Sequence, residues 1–121
     1  MESLDIQAFT YEQRHDLGAR LTAAFANCGG WVVECKMLSP DSMVFHVEIR
    51  LRGVLDLYAA IVGTGVEPTR AGHETFTELC LRSRHMGRMA ALGQIIAIRL
   101  EIAFLDDKTL HELLRSGSGR C

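Results

Sequence analysis

The sequence is poor in lysine, proline and recognisable catalytic signatures. Its 13 basic residues include only two lysines, Lys36 and Lys108, a skew that reads as compositional bias before it reads as function. The formal net charge is -2, which argues against a dedicated nucleic-acid binder, since such domains carry a strong basic excess. The four cysteines, Cys28, Cys35, Cys80 and Cys121, contain no C-x-x-C pair, so neither a zinc ribbon nor a thioredoxin-like redox motif is indicated. Met1 opens a polar stretch rather than an apolar export signal. No hydrophobic run is long enough to span a bilayer. We therefore expect a cytoplasmic chain with reduced thiols and no membrane partner. G-x-S-x-G, the phosphate-binding G-x-x-x-x-G-K-[ST] and the dinucleotide G-x-G-x-x-G are all absent. His15, His46, His73, His85 and His111 never stand at i,i+4. We assign no catalytic residue, no metal ligand and no cofactor.

What is present suits one globular domain. The 121 residues are 48% hydrophobic and 23% charged, enough to bury a core without disulfide or metal support. We place the domain at residues 1–115 and read 116–121, rich in glycine and serine, as a flexible tail.

Leu4, Ile6 and Ala8 alternate with Asp5 and Gln7, the pattern of a half-buried strand. Leu17, Leu21, Ala24, Phe25 and Cys28 follow at helical spacing. Thr10 with Gln13, or else Asp16, can cap that helix, and Gly29-Gly30 ends it. Trp31–Leu38 and Met43–Leu51 read as a hairpin with its odd-numbered residues on one face. That register requires an odd-length loop around Pro40 and Asp41, or a bulge. Val54, Leu57, Tyr58 and Ile61 make Gly53–Val62 a second helix, and Gly63, Gly65 and Pro68 break the chain after it. Glu74–Arg84 reads as a strand because Thr75, Thr77, Leu79 and Leu81 alternate with charged residues, although Phe76, Leu79 and Cys80 also suit a helix. Gln94–Leu105 alternates most cleanly, with Ile96, Ile98, Leu100, Ile102 and Phe104 on one face. Asp106 or Asp107 then caps a short helix carrying Leu110, Leu113 and Leu114.

The order is βαββαββ plus a small helix. We expect an α+β, ferredoxin-like βαββαβ two-layer sandwich, extended by a C-terminal strand and a short helix. Both main helices lie on one face of the sheet, leaving the other open.

The segment Asp16-Leu17-Gly18-Ala19-Arg20-Leu21, followed by Gly29-Gly30-Trp31-Val32-Val33, resembles the start of an ACT domain. That family commonly shows an Asp-x-Pro-Gly-x-Leu turn between its first strand and helix. Asp16, Gly18 and Leu21 match, and Leu17 stands where proline is usual. By element order the likeness runs over about residues 4 to 85. It implies a small regulatory domain that binds amino acids or other small metabolites at paired interfaces.

For the candidate site we expect the first and third strands to run parallel and to end on one side of the sheet. Arg50 and Arg52 then lie near Arg14, His15, Asp16 and Gly18, where two helix N-termini present free N–H groups and positive dipole ends. Such a rim suits a small anionic metabolite. The alternative is that Arg50 and Arg52 are solvated and paired with Glu48 or Asp16. Arg82, Arg84, His85 and Arg88 form a second basic run, without the interleaved aromatics of a nucleic-acid groove. His46 lies on the outer face beside Glu34 or Glu48, where a metal could sit. His73 with Glu74 could serve as acid and base.

The expected function is therefore a small ACT-like binding or regulatory domain that senses an amino acid or other small anionic metabolite. We expect a homodimer through the open sheet face, where Val32, Leu38, Val44, Ile95 and Ala97 mix with charged residues. The alternatives are a dimeric ferredoxin-like enzyme and a protein-interaction subunit without a small ligand.

Overall fold

The computed structural model describes residues 2–12, 14–85 and 93–105. The helix expected at Leu110–Leu114 and the tail at 116–121 lie outside the described residues, as do Arg88 and His111.

Strand β1 (Glu2–Thr10) leads into helix α1 (Arg14–Asn27), followed by the hairpin strands β2 (Trp31–Ser39) and β3 (Ser42–Arg50). A single 3-10 turn (Leu51–Gly53) opens helix α2 (Val54–Gly63). Strand β4 (Val66–Pro68), helix α3 (Arg70–His85) and strand β5 (Ile95–Phe104) complete the described chain. The architecture is α+β, with a five-stranded mixed open sheet and three helices.

Local chemistry explains most of these boundaries. α1 stops where Gly29 takes a left-handed φ of 79°. The Gly30 N–H reaches back to the Phe25 carbonyl at 2.9 Å and the Gly29 N–H to Ala26 at 3.1 Å, the paired bonds of a Schellman ending. Thr10 does not cap α1: its hydroxyl donates to the Gly65 carbonyl at 2.8 Å and accepts from the Glu12 N–H at 3.0 Å. The hairpin turns through Pro40-Asp41, an even-length loop. Cys35 still meets Phe45, and Met37 still meets Met43, because a bulge falls between Met37 and Ser39. A second bulge, between Val32 and Glu34, returns Val32 to the helix side opposite Val47.

Glu74–Arg84 is helical, which corrects the strand expectation. Phe76 and Leu79 are buried at i,i+3, and Thr69, just before α3, accepts the Gly72 N–H on its hydroxyl at 3.2 Å, as an N-cap does. Packing of that apolar stripe outweighs the strand preference of Thr75 and Thr77. The outer positions give the threonines no sheet role; Thr75 donates to the Ala71 carbonyl at 3.0 Å within the helix.

Sheet order also departs from expectation. The strands run β2-β3-β5-β1-β4, so β5, expected as an addition to a βαββαβ sheet, fills its centre between β3 and β1. It pairs parallel with β1, from Glu2–Ile96 to Thr10–Phe104. It pairs antiparallel with β3, from Ser42–Ala103 to Arg50–Ile95. β1 and β3 are consequently antiparallel to each other and are not neighbours.

One core lies between the sheet and the helices. It joins Ile6 and Ala8 of β1, Phe45 and Ile49 of β3, and Ile98 and Leu100 of β5 to Leu21 and Phe25 of α1, Leu57 of α2 and Phe76 of α3. Burying each of the leucine, isoleucine and phenylalanine side chains contributes about 1.5–3 kcal/mol. The three described helices thus cover one face, and the opposite face carries most of the polar positions of the strands, with Val44 buried among them. Among the described residues no helix is long and apolar enough to cross a membrane.

Candidate functional site

Because side chains alternate along a strand, the face turned away from the described helices carries the odd-numbered residues of β1 and β5 and the even-numbered residues of β3. Register then builds a transverse row. Asp5 stands beside Arg99, Arg99 opposite His46, and His46 opposite Glu34. Four titratable side chains from four strands therefore cross the face in line. In the adjoining row Ser3, Ala97, Glu48 and Trp31 are neighbours in the same way.

These rows line a groove of about 350 Å³, with Ser3, Asp5, Glu34, His46, Glu48 and Arg99 as its polar walls and Val33 and Ala97 among its apolar ones. Arg99 Nη1 lies 3.0 Å from a carboxylate oxygen of Glu101 and 3.9 Å from one of Asp5. The Trp31 indole N–H donates to Glu48 Oε1 at 3.1 Å. Lys36 Nζ sits 3.6 Å from Glu34 Oε1. Three carboxylates line the groove against one guanidinium. The groove can therefore receive an ammonium group, and Arg99 offers a carboxylate a partner at one point.

The six residues expected at an anion-binding rim are not brought together. Arg14, His15, Asp16 and Gly18 belong to α1, which begins beyond the Thr10 end of β1; Arg50 closes β3 and Arg52 lies in the 3-10 turn. Thr10 pairs with Phe104 at one end of β5, and Arg50 pairs with Ile95 at the other. The two sets thus lie at opposite ends of the sheet, because β1 and β3 are antiparallel. Asp16 pairs instead with Arg20 one turn along at 3.2 Å, and Arg20 also reaches the Thr64 carbonyl at 3.2 Å. Gly18 is buried inside α1 and its carbonyl accepts the Thr22 hydroxyl at 2.8 Å. The Asp16-Leu17-Gly18 segment is helix here, not a turn.

Of the apolar positions expected on the open face, Val32 lies on the helix side against the core and Val44 is already fully buried. His46 does stand beside Glu34 across the hairpin. Among the described residues, however, no group of three or more His, Cys, Asp or Glu side chains is placed to hold a metal ion.

His73 lines a second groove, wider and shallower, of about 740 Å³, with Phe9, Pro68, Leu81 and the carboxylates of Glu67, Glu74 and Glu78. Its Nδ1 meets the Tyr58 hydroxyl in a very short contact, and Tyr58 stacks on Phe76 with ring centres 4.8 Å apart. The free thiols are packed rather than poised. Burial raises the pKa of Cys28, helped by Asp56, and burial alone raises that of Cys80.

Sequence reasoning set Glu34 and Glu48 beside His46 on the outer face, as partners for a metal, but did not single out Arg99 or Asp5. Alternation carried the face of each. Their convergence depends on the β1–β5 pairing, which joins residues more than ninety apart in sequence and leaves no local signal.

Comparison with family models, with curated proteins and with solved structures finds no match for this chain.

Proposed function

We propose that the chain is a small ligand-binding domain of regulatory rather than catalytic type, and that its open-face groove takes a free amino acid. The observation that carries this reading is the pairing of one guanidinium with several carboxylates around a groove of about 350 Å³. An amino acid is a zwitterion. Arg99 suits its carboxylate, as arginine does in two-pronged recognition, and Asp5, Glu34 and Glu48 suit its ammonium. The ligand class is the one expected from the sequence; the site is moved from the helix ends to the sheet.

Isothermal titration against the standard amino acids, with matched monoamines and monocarboxylates, tests the proposal. We expect at least one amino acid to bind with Kd below about 1 mM and both half-ligands to bind more weakly. Arg99→Ala and Asp5→Asn should each lower affinity about tenfold or more, because each removes a charge-assisted contact. No binding by any amino acid, or equal binding by both variants, overturns it.

A second reading rests on His73. An imidazole beside carboxylates is a minimal set for proton transfer, and the Tyr58 hydroxyl would orient the ring. It ranks below the first because the groove is wide and open, and so does not exclude water. Turnover in a broad hydrolase and isomerase screen that disappears in His73→Gln would reverse the order.

The open face is less suited to a second copy of itself. A face-to-face contact would bring Asp5, Glu34, Glu48 and Glu101 of both copies into one interface, and desolvating carboxylates without cationic partners is costly.

A further inference from the structure

We propose that the groove between β4 and α3 docks a short, basic, partly apolar peptide of a partner protein, with an apolar side chain on its floor and a lysine or arginine on its acidic rim. This groove, of about 740 Å³, shares no lining residue with the open-face groove. β4 is an edge strand of three residues, and α3 follows it directly. Glu67 of β4 stands opposite Phe9 of β1, so the two side chains share a face. α3 adds Arg70, Glu74, Thr77, Glu78 and Leu81, at the three- and four-residue spacing of one helical stripe. Phe76 and Leu79, which enter the core, lie on another stripe of the same helix.

Two features select the occupant. The first is charge. Glu67, Glu74 and Glu78 are all exposed. They share the groove with a single arginine, Arg70, which lies 3.6 Å from Glu74. Arg82, one turn beyond Glu78, feels its charge but is held by Glu2 through both terminal nitrogens. Glu74 and Glu78 are like charges one turn apart, an arrangement that costs a helix stability. A cation seated beside them removes that cost.

The second feature is apolar surface. Phe9, Pro68 and Leu81 form the floor. Leu81 is 47% exposed, and Tyr11, 69% exposed, meets Phe9 edge to face with ring centres 6.4 Å apart. Exposed large hydrophobic side chains rimmed by charge mark a docking surface. An aliphatic anchor suits the floor, the stem of a neighbouring lysine or arginine can lie along it, and the two rings attract a cation. A small molecule is held by enclosure, which this wide groove does not give; a peptide covers an open groove by its length. The acidic rim repels nucleic acid and anionic membranes alike.

Fluorescence anisotropy of the full chain tests this with a labelled peptide that alternates lysine with leucine. One control peptide carries glutamate in place of lysine, and another carries serine in place of leucine. The basic apolar peptide should bind with Kd of about 10–100 µM, and both controls about tenfold or more weakly. Glu67→Lys and Glu78→Lys should each weaken binding about fivefold and flatten its salt dependence. Leu81→Ser, which leaves the charge unchanged, should weaken it about fivefold as well. Asp41→Lys makes the same charge change at the turn between β2 and β3, on the opposite edge of the sheet. It should bind like the parent, which separates the groove from general attraction to an acidic chain. Hydrogen exchange with and without peptide should protect amides of β4 and α3 but not of β2, a readout that needs no substitution. No binding by the basic apolar peptide, equal binding by the serine control, or an equal loss in Asp41→Lys overturns the proposal. Sedimentation velocity that shows a dimer abolished by Glu67→Lys would assign the groove to a second copy and overturn it too. Amino-acid binding at the open-face groove is measured separately, so either proposal can fail alone.

Discussion

The two faces of this sheet are made from the same strands yet obey different rules. On the covered face every inward position of β5 from Ile96 to Phe104 is apolar and buried. On the open face the neighbours of those residues include Arg99 and Glu101, both partly exposed. Covered positions are constrained by volume and shape. Open positions are constrained by charge and by which strand lies alongside. Stability should therefore concentrate on one side and recognition on the other.

The largest expected effect tests that division within one strand. Phe45 is fully buried, with its ring 5.4 Å from Phe25 at 73°. Phe45→Ala should cost about 3–5 kcal/mol, through lost burial and the cavity left behind. His46, the next residue, points to the groove; His46→Ala should lie within about 0.5 kcal/mol of the parent. Urea unfolding of both variants gives the comparison directly. Similar losses from the two would mean that the open face is also core, covered by something outside the described residues.

The division also explains what was legible beforehand. Alternation announced β1, β3 and β5 and assigned each residue to a face, and helical stripes announced α1 and α2. The hairpin partners Glu34 and His46 were accessible too, since a short loop nearly fixes their register. Strand order was not. The insertion of β5 between β1 and β3 depends on the chain's return through α3, and it separated Arg50 from Asp16 while uniting Asp5 with Arg99. β4, three residues long, is too short to show a period. α3 was misread because Thr75 and Thr77 are its outer residues. The better signals were the Thr69 cap and the Phe76–Leu79 spacing that buries one stripe.

A smaller effect concerns how closely α3 lies on the covered face. Gly72 is buried, and a Cβ there would stand 2.7 Å from the backbone oxygen of Gln7 and 3.1 Å from Pro68. Backbone cannot swing aside as a flexible side chain can. Gly72→Ala should therefore destabilise by about 1–3 kcal/mol by overpacking, despite alanine's better helix propensity. Thermal unfolding checks the sign. A stabilised variant would show that α3 can lift from β1, and that this edge of the covered face is looser than the centre.

The smallest effect lies at the far end of the same helix, where the covered face meets solvent. Arg82 grips Glu2 with its two terminal guanidinium nitrogens, Nη1 at 3.0 Å from one oxygen and Nη2 on the other, tying the end of α3 to the start of β1. Hydrogen bonding from Arg82 lowers the Glu2 carboxyl below its ordinary range, against an opposing effect of burial and with help from the Arg82 charge. A lowered folded-state pKa means that the folded chain binds the proton less readily than the unfolded chain. The contribution is thus complete above the ordinary glutamate value, near about 4.3, and is lost as pH falls through the folded-state value. Both side chains are nearly one-third exposed, so solvent screening should hold it to no more than about 1 kcal/mol. Glu2→Gln should consequently unfold at lower urea than the parent at pH 7, and the gap should narrow between pH 4.5 and pH 2.5. A gap that persists unchanged at pH 2.5 would assign the loss to packing rather than charge, and this margin would then behave as core rather than as the boundary between the two faces.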